Sequence, residues 1–192
     1  MAQSHPVEIL MNEHRTIESV LTAFEKRIAA LHSEPFPYEF LTQALDFFRN
    51  FADGCHHAKE EEILFPLLEA RGISRYGGPI GCMLKDHHHG RECLGTVRAN
   101  LDAARDGAPE ALAAIERAGM DYVSMLRQHI QKEDQVLFQM AIRACTTEDV
   151  ADLHASFTAP DNPKLAPAVR TKYEALAAEL CASPGLAPVG TR

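Results

Sequence analysis

Tryptophan is absent from this chain, and β-branched residues hardly ever alternate with polar ones, so a sheet built on period-two patterning is not expected. No apolar run approaches ~18 residues, which leaves no candidate for a membrane-crossing helix. Positive charge is in short supply. Lys and Arg number 19 against 27 Asp and Glu, for a formal charge of −8. An acidic chain without a basic cluster is a poor partner for nucleic acid or an anionic membrane. The five cysteines, at 55, 82, 93, 145 and 181, are odd in number, scattered and without a CxxC pair. Neither a disulfide framework nor a thiolate zinc site is expected; small buried thiols are. The opening run Met1 to Pro6 lacks the charged-then-apolar pattern of a signal peptide, so the cytoplasm is the expected compartment.

What is present is helical. The chain has 192 residues, 46% of them apolar, enough for one domain of ordinary size with an appendage. Pro6 opens a first helix to about His32, striped by Val7, Leu10, Met11, Ile17, Leu21, Phe24, Ile28 and Leu31. The loop Ser33 to Pro37 ends it. A second helix runs from about Tyr38 to Ala70, with Gly72 as its stop. A third starts near Pro79 and lasts to about Arg105, where Asp106-Gly107 breaks it. Pro109 opens a fourth that lasts to about Cys145. Four long helices with short loops predict an all-α, antiparallel up-down bundle over residues 1–158. Thr147 is read as the N-cap of a short helix to about Phe157. Residues 159–192 are read as a linker, an amphipathic helix from about Ala168 to Ala182, and an unstructured tail, Ser183 to Arg192.

Ten histidines stand out. Helical neighbours recur at three, four and seven residues. By that rule His14 falls on the stripe of Val7, Leu10, Ile17 and Leu21. His56 aligns with Phe48, Ala52, Ile63 and Leu67. His87 aligns with Ile80, Met83, Leu84 and Leu94, and His129 with Tyr122, Met125, Leu126 and Val136. Each long helix therefore turns one histidine inward. His57 lines up with Asn50, Asp53 and Glu61 and is placed on a more polar side; His88 and His89 are also turned away. A single buried histidine is usually a satisfied core residue. Four of them, one per helix, still need a partner for every ring nitrogen, and one shared metal site answers that need.

Glu60 follows His56 by four and Glu133 follows His129 by four, which puts each pair on one helix face. The two segments echo each other, HHAKEEEILF at 56–65 and HIQKEDQVLF at 129–138. Glu61, Glu62 and Asp134 fall on other faces and are read as solvated charges. Lys59 and Lys132 are read as snorkelling past the site or pairing with nearby carboxylates. Four imidazoles and two carboxylates exceed what one tetrahedral zinc takes. They suit two metals about 3.5–4 Å apart, with iron the natural choice and manganese or zinc secondary. Open positions would take water, oxo or hydroxo bridges, O2, NO or peroxide.

The HxxxE pairs followed by Leu-Phe, the early Glu13-His14, and the segment Gly78-Pro79-Ile80, Met83, Asp86-His87 and Gly90-Arg91 resemble the hemerythrin-like, or HHE cation-binding, domain over about residues 5–158. The resemblance implies a carboxylate-bridged di-iron centre in a four-helix bundle. Its terminal ligands would be His14, His56, His87 and His129, and its bridges Glu60 and Glu133. Oxygen carriers of the family place a second histidine one turn after the third-helix ligand. Arg91 stands there in this chain, and the fourth-helix carboxylate is a glutamate at spacing four. The chain thus looks closer to the bacterial non-carrier branch, which includes iron–sulfur-cluster repair and stress-response proteins. The expected function is a di-iron module that binds, senses or scavenges O2, NO or peroxide. Alternatives are a peroxide- or NO-consuming enzyme, an iron donor for cluster repair, and a bundle without metal. A monomer or homodimer fits any of these. Glu18, four after His14, is a possible extra ligand, and Tyr122 a possible neighbour of the site.

Overall fold

A computed structural model describes residues 5–159 and 162–182; the tail read as unstructured lies outside the described residues. Among these there are six helices and no strand. Helix α1 is Val7–Ala29. Helix α2 spans residues 38–70 and changes character along its length: it is α-helical over Tyr38–Phe47, π-helical over Phe48–His57 and Glu60–Leu64, and α-helical again over Phe65–Ala70. Helix α3 is Pro79–Arg105. Helix α4 spans residues 109–144, with a π-helical turn at Glu133–Leu137. Helices α5, Thr147–Phe157, and α6, Pro167–Ala182, follow.

The breaks fall where local chemistry puts them. Pro79 and Pro109 sit at the first turns of α3 and α4, where a missing N–H costs nothing. Gly72 and Gly107 follow the ends of α2 and α3 with φ of 87° and 94°, a left-handed conformation that glycine adopts without strain. The first helix stops at Ala29, three residues short of the expected His32. The cap of α5 is Thr146, one residue before the expected Thr147. Its hydroxyl accepts from the Asp149 N–H, and the Asp149 carboxylate accepts from the Thr146 N–H, a capping box. The same carboxylate takes a fork of two hydrogen bonds from Arg71 at 2.7 and 2.8 Å, which ties α5 to the end of α2.

The core consists of two apolar clusters with a polar layer between them. One holds Ile17 to Ile28 of α1, Phe40 to Ala52 of α2, Cys93 to Ala104 of α3 and Ala111 to Ile130 of α4. The other holds Val7 and Leu10 of α1, Leu64 to Leu68 of α2, Ile80 and Met83 of α3, and Leu137 to Ala141 of α4. Helices α1 and α3 thus run from the second cluster to the first, and α2 and α4 run back, so the bundle is up-down-up-down. Helix α5 adds Leu153 and Phe157 to the second cluster. Helix α6 packs against α1 and α2 and adds Tyr173, Ala177 and Leu180 to the first. Each long helix crosses the intervening layer once, at Glu13-His14, His56 to Glu60, His87, and His129 to Glu133.

Candidate metal centre

In that layer His14, His56, His57, Glu60, His87, His129 and Glu133 are all buried. Their side-chain donors form two groups that share one carboxylate. His14, His56, Glu60 and Glu133 make one; His57, Glu60, His87 and His129 make the other. Glu60 spans them: one of its oxygens lies 3.5 Å from His56 Nε2 and the other 3.4 Å from His87 Nε2. Glu133 Oε2 lies 3.2 Å from His14 Nε2 and 3.1 Å from His129 Nε2. The six side chains singled out by helical phase therefore converge, and a seventh joins them.

The seventh is His57. The expectation of a more polar outlook for it is corrected: only 7% of the residue is exposed, and its ring stacks on His87 with centroids 3.8 Å apart and planes 15° apart. The reason is the π-helical stretch Phe48–His57. A π-turn, with its i→i+5 hydrogen bonds, is wider than an α-turn, so successive side chains diverge less in direction. This brings the His57 side chain closer in direction to that of His56, and both face the interior. Period-3.6 reasoning misses this because it assumes the regular helix. The adjacent histidines were the only available signal.

The outer nitrogens of all five imidazoles are taken by carboxylates. His14 Nδ1 lies 2.7 Å from Asp134, His56 Nδ1 3.0 Å from Glu13, and His57 Nδ1 3.3 Å from Asp53. His87 Nδ1 lies 2.7 Å from Glu61, and His129 Nδ1 3.4 Å from Asp86. Each carboxylate meets a cation in turn. Arg15 binds Asp134. Lys59 reaches Glu13 at 2.5 Å and Lys132 reaches Asp86 at 2.5 Å. Arg91 donates to both Asp53 and Glu61, at 2.8 and 2.6 Å. Glu61 and Asp134, expected to be solvated charges, thus hold ring nitrogens of His87 and His14, and Arg91 holds two of the carboxylates in place. A carboxylate on Nδ1 fixes the ring and leaves Nε2 as the free donor atom, the usual backing of a metal-ligating histidine.

On the inner side the partners run out. His14 Nε2, His56 Nε2 and both oxygens of Glu60 and of Glu133 are buried without a hydrogen-bond partner. The Nε2 atoms of His87 and His129 face each other at 3.2 Å. Burying polar atoms in this way is unfavourable unless something takes the place of the lost water. Cations held among these atoms would meet that demand. The donor set, imidazole nitrogen and carboxylate oxygen without a thiolate, suits a hard-to-borderline divalent or trivalent metal.

The electrostatics fit the same role. Burial, with neighbouring imidazoles, lowers His56 to about 3 and His57 to about 4, so both rings are neutral donors. At His14 burial opposes the charge, but Asp134 and Glu133 outweigh it and raise the group to about 9. At His129 burial is likewise outweighed, by the charge of Glu133 and the bond to Asp86, and the group rises to about 10. Burial and the facing Glu133 push Glu60 up to about 8. Glu133 stays ionised despite burial because His129 and His14 flank it. Without a cation the layer stores protons on ligand atoms, and a bound metal would displace them.

A cavity of about 20 Å³ adjoins His57, His87 and His129 and is walled by Phe48, Tyr122 and Leu126, large enough for one water-sized guest. Tyr122 is buried with its ring edge-on to Phe24 and Phe48. Glu18 pairs with Arg15 at 2.8 Å on the surface, outside the converging set. His88 is exposed and pairs with Glu92.

A family model for the hemerythrin HHE cation-binding domain matches residues 5–141. The chain belongs to that family. Among curated relatives, the iron-sulfur cluster repair protein YtfE of Edwardsiella ictaluri is 33% identical over 104 residues, 53% of this chain and 47% of its own length. The uncharacterized protein Rv1995 of Mycobacterium tuberculosis is 24% identical over 151 residues, 78% of this chain and 58% of its own. The iron-sulfur cluster repair protein DnrN of Neisseria gonorrhoeae is 25% identical over 138 residues, 70% of this chain and 85% of its own. The chain thus spans about half the length of the first of these. No solved structure gives a significant match. No described helix of this HHE domain is long and apolar enough to cross a membrane.

Proposed function

We propose that this HHE domain holds two iron ions in the polar layer and binds a small oxidant, O2, NO or peroxide, there. His14 and His56 would hold one ion, His57, His87 and His129 the other, with Glu60 and Glu133 between them. The observation that carries this reading is the pairing of one satisfied and one free side on the ligands: carboxylates hold the Nδ1 atoms, while inner atoms of His14, His56, Glu60 and Glu133 have no protein partner. Bound iron would supply electron transfer and open positions for a diatomic or peroxide ligand. The chain's own residues do the rest. Phe138 stacks on His14 and Phe65 on His87, so the second apolar cluster closes over these two rings. The cavity beside His57, walled by Phe48, Tyr122 and Leu126 with Asp53, Asp86 and Arg91 at its polar side, provides room for one small guest. Lys59 and Lys132 neutralise the carboxylates that orient His56 and His129.

A second reading is an iron donor for iron–sulfur cluster repair, favoured by two relatives that are iron-sulfur cluster repair proteins by name. The two readings part in the lability of the metal. The test is metal content and an optical spectrum of anaerobically reconstituted protein, before and after O2, NO or peroxide. About two irons per chain, with a spectrum that responds to one of these ligands, is expected. A folded, colourless protein that takes up no iron overturns the proposal. Rapid transfer of iron to an apo iron–sulfur protein, without ligand-dependent spectral change, favours the second reading.

A further inference from the structure

Three metal-ligating side chains outside the central layer also converge. His89 and Cys93 lie one turn apart on α3, and Asp121 approaches from α4. His89 Nε2 is 3.8 Å from Cys93 Sγ and 3.0 Å from Asp121 Oδ2, and Cys93 Sγ is 3.7 Å from the same oxygen. A tetrahedral zinc ion with bonds of about 2.3 Å to sulfur and 2.0–2.1 Å to nitrogen and oxygen sets its ligand atoms roughly 3.4–3.6 Å apart. The observed triangle matches within a few tenths of an ångström on every side. From this geometry we propose that His89, Cys93 and Asp121 form a second, mononuclear site for a thiophilic divalent cation of the zinc class, its remaining position open to water.

The surroundings agree with that use. Cys93 is buried, whereas the side chains of His89 and Asp121 are about half exposed, 45% and 56%. An ion can therefore enter from solvent and find its sulfur at the floor of a groove. Glu92 and Asp121 line that groove with Arg117 as the basic member, so the local charge favours a cation. The other thiols with a charged hydrogen-bond neighbour face ammonium groups instead: Cys55 lies 3.4 Å from Lys59 and Cys82 lies 3.7 Å from Lys132. Burial and Asp121 raise the Cys93 thiol to about 11. Without a cation the sulfur keeps its proton and resists oxidation. Metal binding would break the S–H bond, form a metal–sulfur bond and release one proton to solvent. A search for paired cysteines misses such a site, because its third donor arrives from a helix 28 residues further along. The donor set also differs in kind from the central layer. Thiolate selects zinc-class ions, whereas imidazole and carboxylate alone suit iron.

Cobalt(II) is the probe, because thiolate-bound cobalt shows a near-ultraviolet charge-transfer band that cobalt on nitrogen and oxygen alone lacks. Iron-loaded protein titrated with cobalt is expected to take one further ion with that band and to surrender it to zinc. Cys93→Ser should abolish the band. His89→Gln, a change at a half-exposed position, should weaken cobalt binding at least about tenfold, the loss expected even for a backing residue. Both variants should keep wild-type iron content. The proposal is overturned by absence of the band in the wild type, or by its survival in Cys93→Ser, which would assign it to another thiol. It is equally overturned by His89→Gln affinity within twofold of wild type. These readouts hold whether or not the central layer binds iron, because no thiolate belongs to that layer.

Discussion

In the α1–α2 pair, Glu13 holds His56, Lys59 holds Glu13, and Phe65 sits nine residues beyond His56. In the α3–α4 pair, Asp86 holds His129, Lys132 holds Asp86, and Phe138 sits nine residues beyond His129. The exchanges across the bundle match too: Glu61 of α2 backs His87 of α3, and Asp134 of α4 backs His14 of α1. Even the π-turns correspond, Glu60–Leu64 against Glu133–Leu137. The sequence echo of 56–65 in 129–138 is thus a pseudo-two-fold arrangement of side chains around the centre. One position breaks it. Where α2 has His57, the echo in α4 has Ile130, and Ile130 packs in the first apolar cluster. The long π-stretch Phe48–His57 has no counterpart before His129, where α4 is α-helical. A two-fold site would offer two equal metal positions. The extra imidazole gives one donor group three histidines where the other has two.

The comparison can be broken most severely at its aromatic seals. Phe65→Ala and Phe138→Ala each remove a fully buried ring and are expected to cost about 3–5 kcal/mol. If the halves are equivalent in packing, denaturant unfolding of the metal-free protein should give two values within about 1 kcal/mol of each other. A difference larger than that would show that the likeness of the pairs ends at the polar layer.

Next come the carboxylates that back the ligands. Glu13→Gln and Asp86→Asn should each lower iron affinity about 10–100-fold, read by chelator competition. The Glu13 change should be the larger. Glu13 and Lys59 have side-chain exposures of 1% and 4%, against 20% and 40% for Asp86 and Lys132, and a buried pair is screened far less by water. Equal effects would mean that burial does not distinguish the halves. A narrower change tests the asymmetry itself. His57→Ile gives α2 the residue that the echo has in α4. Two irons should still bind, with weaker retention of one, and their spectroscopic inequivalence should shrink. An unaltered spectrum would remove His57 from the ligand set.

The smallest effect expected is on acid stability. His56 and Lys59 hold Glu13 at about 2 against burial, and His87 and Arg91 do the same for Glu61. A carboxylate depressed on folding stabilises the native state above its unfolded value, near 4.5, and loses that contribution as the pH falls towards 2. The metal-free protein should therefore lose stability steadily over that window, measured as a falling denaturation midpoint. Glu13→Gln should flatten the slope, because an amide does not titrate.

Helix boundaries were largely legible because proline, glycine and apolar spacing act locally. The errors were of one to three residues, at His32 and at Thr147. The six principal candidate ligands were legible for the same reason: each lies on the apolar stripe of its own helix. The outer row was less so. Glu61 and Asp134 read as solvated charges from their own helix, and their partners stand on neighbouring helices. Nothing in a linear pattern reports that Asp134 meets His14 across 120 residues.

The amino-acid order alone therefore determined an all-α bundle with one inward histidine per long helix and two inward glutamates, since helical phase follows from backbone geometry common to every α-helix. Tertiary structure decided the inward turn of His57, the carboxylate behind every imidazole, and the meeting of His89, Cys93 and Asp121. Each of these depends on departures from the regular helix or on distances between helices, which packing sets and periodicity does not encode.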